Sequence, residues 1–300
     1  MTHRVTVGLD GSQESRAAAE WAAGEAVLRG VPLRLVHAEE YPTTAAVPMA
    51  PEDVQQRWAD ALLDEVAGTL RGRHPGLEVT RLRRPGHPSA ALALEGAEAD
   101  VLVLGSRGLG MVAGFLIGSV GMATIAATEQ PVVLVRAPAS AQAHDAPAAA
   151  LGEGRPAGGG GVVVGVDIHE SCDAVLGFAF AEAARRGCAL TAVHSWRMPS
   201  ALLYPVLDPA LRNDLVAEVT RSLGDMLLPY RHKFPSVDVI EKPVLGSAGE
   251  QLTAAAEGAE LVVVGRRVRH APLGQHIGHV AHAVMHHASP PVAVVAYEGQ

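Results

Sequence analysis

Val5-Thr6-Val7-Gly8-Leu9-Asp10-Gly11-Ser12 forms the first apolar run of the chain, and Val162-Val163-Val164-Gly165-Val166-Asp167 repeats it 157 residues later. A short Val-rich run that ends in Gly and Asp reads as a buried strand entering a turn. The echo continues along the chain. Leu35-Val36-His37-Ala38 matches Ala192-Val193-His194-Ser195 at the same offset. Ala99-Asp100-Val101-Leu102-Val103-Leu104-Gly105 matches Ala259-Glu260-Leu261-Val262-Val263-Val264-Gly265 at an offset of 160, as Pro131-Val132-Val133 matches Pro291-Val292-Ala293. Four anchors in one order mark a tandem duplication.

Composition agrees with two copies of one unit. The chain has 300 residues, 48% of them hydrophobic and only 4% aromatic. That is enough apolar material for two cores, built from Val, Leu and Ala rather than rings, and it excludes a disordered chain. Residues 1–137 carry 12 Arg and no Lys against 16 acidic residues, and residues 138–300 carry 12 basic against 16 acidic. Each part is therefore −4, and the total of −8 argues against a dedicated nucleic-acid binder. Two cysteines, Cys172 and Cys188, are too few for a disulfide framework and fit a reducing compartment. No signal peptide is evident in Met1-Thr2-His3-Arg4-Val5, and a cytoplasmic protein is expected.

Expected boundaries are 1–137 for the first domain, 138–161 for a linker and 162–300 for the second domain. Between Ala137 and Gly161, 18 of 25 residues are Ala, Gly or Pro, a composition that buries little. In the first domain, strands are expected near 4–9, 32–38, 78–83, 101–105 and 132–136. In the second they are expected near 162–167, 188–195, 237–242, 261–265 and 292–296. Longer segments of helical period separate them. Val54, Trp58, Leu62, Val66 and Leu70 recur every four residues, so all five are expected on the buried face of a helix. Alternating strands and helices imply an α/β fold with a parallel sheet covered on both faces. Ligands in such sheets bind beyond the carboxyl ends of the strands, where strand order reverses.

The fourth strand of the first domain runs into Gly105-Ser106-Arg107-Gly108, and Gly118-Ser119 follows nine residues later, where a helix should begin. Glycines after a strand admit positive φ and let the backbone approach a phosphate. A helix N-terminus offers free N–H groups to an anion, and the Ser119 hydroxyl adds a donor. Arg107 stands ready to approach a phosphate.

These motifs resemble the universal stress protein family, in its ATP-binding branch. The resemblance rests on Gly105, Gly108, Gly118 and Ser119, on Val7-Gly8-Leu9-Asp10, on Val36-His37-Ala38 and on Pro131-Val132-Val133, and it extends over both halves. It implies two tandem doubly wound domains of the adenine-nucleotide α-hydrolase-like fold, each a five-stranded parallel sheet of order 3-2-1-4-5. It places Gly8, Asp10 and Ala38 toward the adenosine, and Gly105, Arg107, Gly108, Gly118, Ser119 and Val120 toward the phosphates. The implied ligand is ATP, with or without Mg. The implied role is regulatory, in stress adaptation or growth arrest, through a homodimer and a regulatory protein partner. Strands 132–136 and 292–296 are the candidate edges for dimer contacts.

What is missing narrows the chemistry. The first half lacks a Gly-x4-Gly-Lys-Ser/Thr loop, and no Gly-x-Gly-x-x-Gly follows the first strand. No base adjoins a nucleophile, so an enzyme is not expected. Asp10-Gly11-Ser12-Gln13-Glu14 lacks the Ser/Gly-rich pyrophosphate loop of the hydrolases in the superfamily. The alternative is an interaction module that has lost nucleotide binding in one or both domains.

The second half departs from the pattern. Its candidates are Gly165, Asp167, Gly265, Gly278 and His279, but Val268 replaces the middle glycine and His279 replaces the serine. If position 268 needs positive φ, a β-branched residue there costs ~1–2 kcal/mol. Arg266, Arg267 and Arg269 offer compensating charge. Six of 14 histidines lie between His270 and His287, with His279, His282 and His286 on one helical face. A polar helix face accounts for them better than a Zn or Cu site, for want of a nearby carboxylate or thiol. His169-Glu170-Ser171-Cys172 reads as a loop entering a helix, Cys188 as the start of a buried strand, and His37 and His194 as structural hydrogen-bonders. Gly108 to Thr128 is uncharged and mimics a membrane span, but its counterpart, residues 268–288, holds Arg269 and six histidines. A membrane-inserted segment is therefore not expected.

Overall fold

A computed structural model describes residues 3–39, 51–106, 118–137, 160–197, 209–268 and 277–299. The chain divides into two compact units, Met1–His144 and Asp145–Gln300.

Unit 1 contains β1 (Val5–Gly8), α1 (Gln13–Arg29), β2 (Leu33–Glu39), α2 (Glu52–Arg73), β3 (Val79–Pro85), α3 (Pro88–Ala97), β4 (Val101–Ser106), α4 (Ser119–Ala127) and β5 (Val132–Arg136). The strands pair in parallel in the order β3-β2-β1-β4-β5, as expected. Val5 of β1 lies opposite Leu33 on one side and Val101 on the other. The chain reverses its direction of growth there, so the carboxyl ends of β1 and β4 open onto a crevice.

Unit 2 contains β6 (Gly160–Gly165), α5 (Asp173–Arg186), β7 (Leu190–Trp196), α6 (Pro209–Lys233), β8 (Val239–Leu245), α7 (Ala248–Ala255), β9 (Ala259–Val268), α8 (His279–His287) and β10 (Val292–Glu298). The order is β8-β7-β6-β9-β10, again parallel throughout. The duplication reaches the helix ends. Gly30 at φ 65° closes α1 and Gly187 at φ 61° closes α5, 157 residues apart. Each supplies the left-handed residue that ends a helix without a Cβ clash.

The cores explain the low aromatic content. Ala18, Ala19, Ala22, Ala23 and Ala26 are fully buried on α1, which packs on β1, β4 and β5. Small side chains let that helix lie close to a sheet of Val and Leu. Unit 2 adds a ring cluster, in which buried Phe180 stacks on Tyr230 at 5.4 Å and on Phe234 at 5.8 Å.

Three expectations need correction. On α2, Leu62, Val66 and Leu70 are buried, but Trp58 is 50% exposed and Val54 42%. The Trp58 ring instead meets His37 of β2 edge-on at 5.4 Å. It also covers Gly11 (φ 85°), where a Cβ would sit 2.9 Å from Trp58 Cζ2. Cys188 does not begin a strand. It lies in the turn before β7, its N–H bonded to Ala183 O at 3.1 Å as part of the helix-ending motif. Val268 is an extended residue at the end of β9, opposite Glu298, so the positive-φ strain does not arise.

No helix among the described residues is long and apolar enough to cross a membrane. Of the uncharged stretch, Ser119–Ala127 forms the nine-residue α4.

Candidate functional site

A cavity of about 330 Å3 opens at the crevice of unit 1. Gly8, Asp10 and Ala38 line it from β1, the turn after it and β2. Gly105, Gly118, Ser119 and Val120 line it from the end of β4 and the start of α4. Seven of the nine first-domain candidates thus share one space. Arg107 and Gly108 lie outside the described residues, as does most of the expected linker.

The Asp10 turn is held locally. Asp10 Oδ1 accepts from Ser12 N–H at 3.0 Å and from Ser12 Oγ at 2.5 Å. Ser12 also caps α1, its Oγ accepting from Ser15 N–H at 3.2 Å. One side chain therefore fixes both the carboxylate and the helix start. His37 lines the cavity and donates from Nδ1 to Leu9 O at 2.8 Å, the expected structural bond.

Gly105 acts by close approach, and the positive φ expected of the loop glycines is not found at those the structure describes; Gly108 lies outside them. None of Gly105, Gly118, Gly265 and Gly278 lies in the left-handed region. A Cβ on Gly105 would stand 2.6 Å from the carbonyl carbon of Glu14 and 2.7 Å from Ser15 N, both backbone atoms of α1. Gly118 is different. It is the N-cap of α4 with φ −61°, and among the described residues no atom beyond its chain neighbours lies within 4 Å of where its Cβ would be. No side chain caps that helix among the described residues. The first-turn N–H groups of α4 are thus presented to the cavity, an arrangement that favours an anion.

Sequence reasoning missed the apolar wall, Pro88 and Leu92 of α3 with Leu104 of β4. The i, i+4 spacing of Pro88 and Leu92 was its signal. Leu92 also explains Gly8, where a Cβ would meet Leu92 Cδ2 at 2.9 Å. Such a wall suits the flat face of a base.

Unit 2 has the corresponding cavity, about 280 Å3. Gly165, Asp167, Gly265, Gly278 and His279 all line it. Asp167 Oδ1 accepts from His169 N–H at 3.0 Å, and His194 Nδ1 donates to Val166 O at 3.1 Å, repeating the contacts of unit 1. Gly278 again has, among the described residues, no atom beyond its chain neighbours within 4 Å of its missing Cβ. Of the three arginines expected to add charge, Arg267 lines the cavity, Arg266 is buried in β9, and Arg269 lies outside the described residues. Arg267 Nη1 pairs with Glu170 Oε1 at 3.1 Å, and Tyr297 Oη donates to Glu170 Oε2 at 3.1 Å. Sequence reading did not find this cluster, because Tyr297 comes 127 residues after Glu170. Burial, then the hydrogen bond to Glu170 and its charge, push the Tyr297 phenol up to about 12. Cys172 also lines the cavity, and burial beside the carboxylates of Asp167, Glu170 and Asp173 pushes its thiol up. A thiol so placed is a weak nucleophile.

The histidines of α8 gather no metal set. His282 and His286 rings lie 4.2 Å apart, and burial followed by the charges of His286 and His287 lowers the His282 pKa. No group of three His, Cys, Asp or Glu able to hold a metal occurs among the described residues.

The comparisons with known proteins follow the duplication. The family model described as "Universal stress protein family" matches residues 1–136 and again 161–296. Universal stress protein Rv2005c of Mycobacterium tuberculosis is 31% identical over 301 residues, covering 97% of this chain and 96% of the relative. Universal stress protein Rv2623 of the same organism is 30% identical over 299 residues, covering 97% and 95%. The crystal structure of a universal stress protein from Archaeoglobus fulgidus superposes with a TM-score of 0.69 at 17% identity, covering 98% of each chain, and so shares the fold.

Proposed function

The chain belongs to the universal stress protein family as a tandem member, and from that premise we propose that unit 1 binds ATP as a regulatory ligand. One observation carries this reading. Gly105, Gly118 and Ser119 meet Asp10 across a single cavity at the β1/β4 crevice, and the helix facing it is uncapped by any described side chain. Asp10 and the backbone at Ala38 receive the adenosine, with the ribose hydroxyls as donors to the carboxylate. The amides of Ser119 and Val120 receive phosphate oxygens, and the space left by Gly118 admits them. Arg107 and Gly108 complete the phosphate side. Mg is needed only as the counter-ion of the phosphates.

The role is proposed to be conformational rather than catalytic. In this reading the protein is a cytoplasmic homodimer whose nucleotide state gates a regulatory protein partner during stress adaptation or growth arrest. Isothermal titration of ATP into the wild-type chain and an Asp10→Ala variant tests the site. The variant should bind at least tenfold more weakly, and equal affinity would remove Asp10 from it.

A further inference from the structure

The two cavities share a frame but differ on the side where phosphates would lie. In unit 1, Gln13 follows the Asp10 turn, while Glu170 takes the equivalent place in unit 2. Glu170 enters the second cavity as a carboxylate, with one oxygen on Arg267 and the other on Tyr297. Arg267 is the counterpart of Arg107 at the offset of 160. The cation that would meet a phosphate in unit 2 is therefore already paired with an acid of the same chain. A phosphate entering there must take Arg267 away from Glu170 while standing beside an uncompensated negative charge. Tyr297 holds the acid in place from the end of β10.

Away from that cluster the cavity keeps the frame of unit 1. His194 is 4% exposed and lines the cavity wall. A carbonyl only accepts, so Nδ1 must donate to Val166 O, which leaves Nε2 of the neutral ring as an acceptor. That Nε2 is buried and has no hydrogen-bond partner among the described residues. Asp167 keeps the position of Asp10, ready for ribose hydroxyls.

We propose that the cavity of unit 2 takes an uncharged purine nucleoside and rejects its phosphorylated forms, with Glu170 as the excluding residue and Arg267 and Tyr297 as its clamp. The inference rests on the adenine-nucleotide reading of the duplicated cavity. It makes the tandem chain a two-ligand protein, one site for ATP and one for the dephosphorylated nucleoside. Discrimination comes from a repulsive element added to an otherwise conserved frame.

The test uses the full chain and isothermal titration. Wild-type protein saturated with ATP should take up one equivalent of adenosine per chain and no second equivalent of ATP. Glu170→Gln, of the same shape without the charge, should gain a second ATP with affinity at least tenfold above that of unit 2 in the wild type. A thermal melt of Glu170→Gln close to that of the wild type verifies folding. Two ATP per chain in the wild type, or no adenosine uptake by the ATP-loaded wild type, would overturn the proposal without need of the variant. An unchanged ATP stoichiometry in a folded Glu170→Gln would overturn it too. Failure of the unit 1 reading is a separate outcome: the wild type would bind no ATP at all, while Glu170→Gln would still gain one.

Discussion

Replacing Gly118 by valine separates the needs of the ligand from those of the fold. Gly118 has φ −61° and ψ 156°, a region open to every residue, and among the described residues no atom beyond its chain neighbours lies within 4 Å of its missing Cβ. The change therefore strains nothing. Its cost to stability is the poorer helix cap, about 1 kcal/mol or less. The branched side chain projects into the space through which phosphates reach the amides of Ser119 and Val120. Loss of two such charge-assisted bonds, each worth roughly 1.5–3 kcal/mol, removes at least about 3 kcal/mol of binding. That corresponds to a Kd raised at least ~100-fold. Titration calorimetry with ATP reads the affinity, and a thermal melt without nucleotide reads the stability. An affinity within twofold of wild type, with an unchanged melt, would refute the assignment of the α4 N-terminus to the phosphates. A collapse of the melt would refute the claim that the space at Gly118 belongs to the ligand.

Gly105→Ala should do the reverse and destabilise unit 1 by ~1–3 kcal/mol in urea denaturation, because its Cβ would press on the α1 backbone at 2.6 Å. Phe180→Ala should cost unit 2 ~3–5 kcal/mol in the same assay, since it removes a fully buried ring stacked on Tyr230 and Phe234. The phenol of Tyr297 is raised from 10.0 to about 12 in the folded chain, so its contribution is complete below pH 10 and is lost as pH rises toward 12. Wild-type protein should therefore lose more thermal stability between pH 10 and 12 than Tyr297→Phe, and parallel losses in the two would count against the Glu170 contact.

The frame was legible because its signals are local or repeated. Apolar runs ending in Gly-Asp, and their return at a fixed offset, specify strands and their duplication without any knowledge of packing. The glycine spacing singled out Gly105, Gly118 and Ser119, and the structure lines one cavity with all three. Close approach of α1 requires Gly105, and φ is ordinary at both glycines. Trp58 was misplaced because helical periodicity reports a face and not where along the helix the sheet ends. Trp58 covers Gly11, in the turn after β1, instead of entering the core. The Glu170–Arg267–Tyr297 cluster was illegible because its members arrive from three separate strand ends. Substitutions at 268 and 279 drew attention to the glycine loop, whereas Glu170 changes the second cavity from the turn after β6.

The account turns on what the purified chain carries. Heat denaturation followed by chromatography of the released nucleotide, quantified per chain, measures it directly. One ATP per chain is predicted for the wild type, and none for Gly118→Val. A wild-type protein that releases no adenine nucleotide and takes up none when ATP is added would contradict the central claim.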